Sequence, residues 1–209
     1  MYQKLTNDPW TRNRITHSHV CWNGAFTTDE LDHLDYICSK EQLEESTTFG
    51  ASNPEEVWKH RKSKVKFFYR DQNTDWIFRR FNEVGEMIND QFYNFNLNGY
   101  ESFQYTVYYG NEQGRYDWHM DAMLGGDRNN TLSQETRKLT MVLLLNQPGV
   151  DFTGGEFQIN QGDQENPQTL EMNKGRIVAF PSFLIHRVCP VLSGIRKSIV
   201  IWIEGPKFV

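Results

Sequence analysis

The chain changes pattern near residue 100, and that change limits what it can fold into. From there on, short apolar runs rich in β-branched and aromatic residues alternate with Gly, Asn and Asp turns, the signature of successive strands. The runs fall near 101–109, 115–120, 138–146, 155–160, 168–172, 176–180, 184–191 and 195–204. Two helical patterns precede them. Thr27, Thr28, Asp29 and Glu30 supply capping hydroxyls and first-turn acids for a helix running to about Ser39, with Leu31, Leu34 and Ile37 on one face. Trp76, Ile77, Phe81, Val84 and Ile88 recur at helical spacing within 74–93, and Phe92 extends that face. Residues 65–69 form an earlier strand. Eight short strands after two helices predict a β-sandwich or open barrel with helices packed on one face. Residues 50–64 read as a polar loop around Pro54, and 122–137 as a long polar stretch of the kind that is usually functional or disordered.

At 209 residues the chain suffices for one domain, with 1–98 as helical support and first strands and 99–205 as the β core. The net charge of −5 leaves no footprint for nucleic acid or an anionic membrane surface. The basic run His60, Arg61, Lys62, Ser63, Lys64 reads as a solvated loop. Cys21, Cys38 and Cys189 form no C-x-x-C pair and no disulfide framework. With no signal-peptide pattern at the N-terminus and no long apolar run, the expectation is a cytoplasmic protein.

His119 and Asp121 form an H-x-D pair on a strand pattern, where residues two apart share a face. Alone the pair is weak, since any His and Asp can fall two apart. His186 lies in a later, otherwise apolar strand, where a buried ring needs a partner. Two histidines and a carboxylate make the facial triad of non-haem iron sites, which leaves three metal positions open: two for a bidentate 2-oxo acid and one for O₂. Arg196 opens the last strand, ten residues after His186, and its guanidinium fork suits a carboxylate. Ser198 shares its strand face, Val200 and Trp202 continue that face inward, and Lys197 points the other way into solvent.

The motifs follow one another in a recognisable order: YYGNEQGRYDWHMD at 108–121, TGGEF at 153–157, FPS at 180–182, HRV at 186–188, then Pro190, Val191, Gly194, Ile195, Arg196, Trp202 and Ile203. Over roughly 100–205 the chain resembles the PKHD-type Fe(II)/2-oxoglutarate dioxygenases, close to the prolyl 4-hydroxylases. The resemblance implies an α+β, mainly β fold with a double-stranded β-helix (jelly-roll) core and flanking N-terminal helices. It implies iron on His119, Asp121 and His186, and 2-oxoglutarate on Arg196. It also implies hydroxylation of an aliphatic C–H, most readily of a prolyl residue in a protein or peptide, coupled to decarboxylation of 2-oxoglutarate to succinate and CO₂. Tyr109 matches an active-site tyrosine of relatives, and with Tyr105 and Val107 it marks the face taken as inward. Leu144 stands where some relatives place a tyrosine beside the arginine, so Tyr105, Thr140 and Ser198 are the candidates to assist Arg196. Tyr116 and Trp202 are candidates for the substrate pocket, and Gly154 and Gly155 for a backbone turn. O₂ is the further co-substrate and ascorbate a candidate reductant. Hydroxylation of a free amino acid or other small molecule is the alternative within the class. A non-catalytic metal-binding jelly roll is the alternative outside it.

Overall fold

The structure, a computed structural model, describes residues 17–48, 53–122, 135–163 and 165–207. Thirteen strands and three α-helices follow in the order β1 (Val20–Trp22), α1 (Thr28–Ser39), β2 (Glu44–Glu45), α2 (Pro54–His60), β3 (Arg61–Lys62), β4 (Lys64–Tyr69), α3 (Asp75–Ile88), β5 (Ser102–Tyr109), β6 (Arg115–His119), β7 (Glu135–Leu144), β8 (Phe152–Gly154), β9 (Phe157–Asn160), β10 (Gln168–Leu170), β11 (Ile177–Pro181), β12 (Ile185–Val188) and β13 (Val191–Pro206). They form a double-stranded β-helix. The major sheet runs β1-β11-β7-β13-β5-β4-β2, with β8 also paired to β13, and the minor sheet runs β10-β9-β12-β6-β3. The first 98 residues join both sheets: β1, β2 and β4 extend the major one and β3 the minor one.

Local chemistry explains the helices. Thr27 and Glu30 close a reciprocal capping box on α1, through the bonds Glu30 N–H to Thr27 Oγ1 (3.2 Å) and Thr27 N–H to Glu30 Oε2 (2.8 Å). The pattern at 74–93 becomes α3 plus a π-helical turn over Asn89–Tyr93, which Asn94 ends with φ 53°. Two expectations need correction. Part of the supposed loop at 50–64 is α2: Asn53 caps it by accepting from Glu56 N–H, and proline stands at its first position, where a missing N–H costs nothing. Arg61, in the run expected to be solvated, is 7% exposed. The stretch 123–134 lies outside the described residues.

Two apolar layers flank the major sheet. On its outer face α1 and α3 pack Leu34, Ile77, Phe81 and Ile88 against Met141, Leu143, Ile199 and Ile201. Each fully buried side chain of this kind contributes about 1.5–3 kcal/mol. On its inner face Val142, Leu144, Val178 and Phe180 meet Phe157, Ile159 and Val188 of the minor sheet. The candidate site lies in this inner layer. The three cysteines are free. Among the described residues, no helix is long and apolar enough to cross a membrane.

Candidate iron and co-substrate site

His119 and His186 are paired across adjacent minor-sheet strands, β6 and β12. Each imidazole donates its Nδ1–H to the backbone carbonyl two residues earlier, His119 to Asp117 (2.7 Å) and His186 to Leu184 (2.9 Å). That fixes the tautomer and leaves both Nε2 lone pairs for a metal. Burial, reinforced by His186, pulls the His119 pKa down to about 3, so its ring is neutral and ready to ligate. Strand β6 ends at His119, so alternation along a strand does not place Asp121. Its placement comes from Ser182, whose carbonyl accepts the N–H groups of both Asp121 (2.9 Å) and Ala122 (2.8 Å). The carboxylate then lies 3.8 Å from His119 Nε2 and 3.5 Å from His186 Nε2. The three ligand atoms fall within 4.8 Å of one another, and this is the metal-competent group found among the described residues.

Asp121 is buried. Burial opposes its charge, but His186 and His119 outweigh it and hold the carboxyl below the usual range. Thr140 Oγ1–H donates to Asp121 Oδ2 (2.9 Å), so the Ser182 hydroxyl must donate to Thr140 (2.9 Å). The Trp202 indole N–H lies beside Asp121 and helps hold the carboxyl low, but it is buried without a hydrogen-bond acceptor in range. Thr140 thus steadies the metal carboxylate rather than Arg196, contrary to expectation. Nothing in the sequence around Ser182 signals this role, which depends on a contact across sixty-one residues.

Arg196 is 1% exposed. It donates Nε–H to the Gly155 carbonyl (3.1 Å) and Nη1–H to Ser198 Oγ (3.2 Å), and Nη2 is buried with no partner among the described residues. A buried guanidinium without a carboxylate is costly, so the free end of the fork fits the distal carboxylate of 2-oxoglutarate. Gly154 and Gly155 adopt φ of 71° and 67°, and a β-carbon on Gly155 would stand 2.9 Å from Arg196 Cδ. Glycine is therefore required where the turn cradles the arginine. Leu144, opposite Ser198, lines a cavity of about 270 Å³ with Gly155, Phe157 and Arg196, so no tyrosine on that strand meets the guanidinium.

The tyrosines of β5 correct the expected face. Tyr105 and Tyr109 lie on the outer, helix-facing side: Tyr105 O–H donates to Asp35 (3.3 Å), and Tyr109 packs on the outer core opposite Ile195. Tyr108, opposite Arg196, is the inward residue, with the Arg196 Cζ 5.4 Å from its ring centre. Lys197, expected in solvent, pairs with Asp35 at 2.7 Å.

Two bulges shape the mouth of the site. Between Tyr116 and His119, β6 carries one more residue than β12 does between Val188 and His186. Both side chains therefore face inward, and their rings stack at 3.5 Å. On β7 the register with β13 slips between Leu139 and Arg137. This turns Arg137 inward, its Cζ 4.0 Å above the Trp202 ring. Arg61 lies over the Tyr116 ring (4.5 Å), held by Ser63 Oγ (2.9 Å) and the Thr47 carbonyl (3.3 Å). Sequence reasoning gave neither Arg61 nor Arg137 a role, and no spacing rule would have found a residue that a bulge re-aims.

Residues 103–204 match the family model described as 2OG-Fe(II) oxygenase superfamily. The fold and the metal-competent triad agree with that match. The sequence is also similar to PKHD-type hydroxylases. It is 33% identical to one from Synechococcus sp. (strain CC9311) over 94 residues, 45% of this chain and 38% of the relative's length. It is 35% identical to one from Colwellia psychrerythraea over 92 residues, 44% of this chain and again 38% of the relative. In three dimensions it resembles a Pseudomonas putida prolyl-4-hydroxylase (TM-score 0.69, 19% identity, 92% of this chain and 95% of that one). It also resembles a Trichoplax adhaerens prolyl hydroxylase in complex with a hypoxia-inducible-factor peptide (TM-score 0.69, 16% identity, 90% and 84%).

Proposed function

We propose that the protein is an Fe(II)/2-oxoglutarate-dependent hydroxylase that oxidises an aliphatic C–H, with a prolyl residue of a protein or peptide as the substrate. The observation that carries this reading is the presence, between the two sheets, of a two-histidine, one-carboxylate group and of a buried arginine whose Nη2 lacks a partner among the described residues. His119, Asp121 and His186 would hold the iron, and Arg196, with Ser198 and Tyr108 beside it, the distal carboxylate of 2-oxoglutarate. When bound, the iron and 2-oxoglutarate supply oxidation of a C–H by O₂, with release of succinate and CO₂. The chain supplies placement. Backbone carbonyls fix the tautomer and aim of both imidazoles, and Thr140 and Ser182 fix the carboxylate. Phe157 and Phe180 pack against His186 and exclude water from that side. Tyr116 and Trp202 flank the open side and would contact the substrate. The prolyl preference draws support from the similarity to PKHD-type hydroxylases and from the two prolyl hydroxylases that share the fold.

Anaerobic addition of 2-oxoglutarate to the Fe(II)-loaded protein tests the cofactor pair. A weak visible metal-to-ligand charge-transfer band is expected in wild type and is weakened in Arg196→Ala. Its absence from folded, iron-loaded wild type would remove 2-oxoglutarate from the account.

A further inference from the structure

Among the described residues, the open side of the site carries an unbalanced charge. Arg61 lies over Tyr116 (4.5 Å) and Arg137 over Trp202 (4.0 Å), and the two act electrostatically on Tyr116 and on each other. Arg61 spends Nε on Ser63 and Nη1 on the Thr47 carbonyl, both neutral acceptors. Arg137 stacks on Trp202 and makes no hydrogen bond or ion pair among the described residues. Glu204 and Asp121 act on Arg137 only at longer range, and neither arginine has a carboxylate at ion-pair distance among the described residues. Asp121 is in any case committed to the metal position.

Loading the site does not supply the missing anion. A divalent metal, the Asp121 carboxylate, a dicarboxylate co-substrate and Arg196 cancel one another, leaving two guanidinium groups beside the reacting position. Guanidinium groups stay charged at any ordinary pH, and holding two near each other in a partly buried mouth is unfavourable without a counter-charge. Both are also fixed in place, Arg61 by its two hydrogen bonds and ring contact and Arg137 by the bulge and the indole face. Such a pair is pre-organised for a carboxylate.

From this, and resting on the reading of the site as an Fe(II)/2-oxoglutarate hydroxylase, we infer that the substrate is anionic: it carries a carboxylate within a few bonds of the reacting carbon, bound between Arg61 and Arg137. The carboxylate is either an acidic residue next to the reacting residue of a peptide or the free carboxylate of an amino acid.

The test is isothermal titration of the protein loaded with Mn(II) and 2-oxoglutarate, so that binding is read without turnover. The probes are matched pairs: N-acetyl-Asp-Pro-Gly-amide against its Asn counterpart, N-acetyl-Gly-Pro-Asp-amide against its Asn counterpart, and L-proline against L-prolinamide. Wild type is expected to bind the anionic member of at least one pair ~10-fold or more tighter at low salt, as charge-assisted hydrogen bonds allow. Preference in a peptide pair assigns a flanking acidic residue, and preference in the last pair assigns a free carboxylate. Arg137→Gln should reduce the preference, and the double variant with Arg61→Gln should lose it. Wild type without an anion preference in any pair overturns the inference, and so does a preference that survives in the double variant. The charge-transfer band of the Fe(II) and 2-oxoglutarate complex, recorded on the same proteins, shows that the variants remain folded. It also reports on the underlying reading independently of every probe.

Discussion

On its inner face β13 carries Arg196, Ser198, Val200 and Trp202; on its outer face the same strand carries Lys197, Ile199, Ile201 and Ile203. Each face holds a cation, and the two are treated differently. Lys197 meets Asp35 of α1 at 2.7 Å, which ties the helix to the sheet. Arg196 is more deeply buried, but among the described residues it has only neutral oxygens as partners, and Nη2 has none. The outer charge is satisfied by the fold. The inner one is left for an anion, the role proposed above for 2-oxoglutarate. Adjacent residues of one strand thus separate structure from binding.

The sharpest way to break this comparison is at the metal end. Asp121→Ala should weaken Mn(II) binding by titration at least about 100-fold, beyond the range seen when only supporting residues are lost. Near-native binding would show that Asp121 is not a ligand. Next in size, Arg196→Ala should raise the KM for 2-oxoglutarate roughly 10–100-fold through loss of charge-assisted hydrogen bonds. Tyr105→Phe, on the outer face, should leave that KM unchanged, and a shift there would move Tyr105 back into the site. Thr140→Val should cost about 10-fold in metal affinity through the freed Asp121 carboxylate, with little change in the 2-oxoglutarate KM at saturating metal. Lys197→Met should lower stability in urea by about 1 kcal/mol, since the pair is partly exposed, and leave 2-oxoglutarate binding alone.

A pH titration sharpens the electrostatic side. In the metal-free protein the folded state holds the His119 pKa at about 3 against an ordinary 6.5. Below the ordinary value the unfolded chain takes up a proton that the folded state refuses. This contribution to stability is fully present above pH 6.5 and is lost as the pH falls towards 3. Tm measured down that window should fall more steeply in wild type than in His119→Gln, and equal slopes would mean the attribution is wrong.

Much of this molecule was legible in one dimension. The capping box of α1, the apolar face of α3 and the strand runs after residue 100 are local patterns, and local hydrogen bonding and burial enforce them. Helix α2 was legible too, since Asn53, Pro54, Glu55 and Glu56 followed by Lys59 and His60 carry start and end signals; the polar composition hid it. The inward face of β5 was not legible. That strand is buried on both sides, by the helices and by the minor sheet, so Tyr105, Val107 and Tyr109 look no more interior than Thr106 and Tyr108. A one-residue misreading of such a strand exchanges its faces.

The sequence by itself determined the chemistry available: His119, Asp121 and His186 in strand-like settings, an arginine opening the last strand, and two glycines where the backbone must turn. Tertiary structure alone decided how those groups meet. Ser182, more than sixty residues along the chain, places Asp121 through its carbonyl and hydroxyl. Gly155 holds Arg196. A bulge brings Arg137 to the mouth, and Arg61 reaches it from the first half of the chain. These are long-range contacts set by register and sheet packing, and register depends on which strands pair rather than on any one segment's composition.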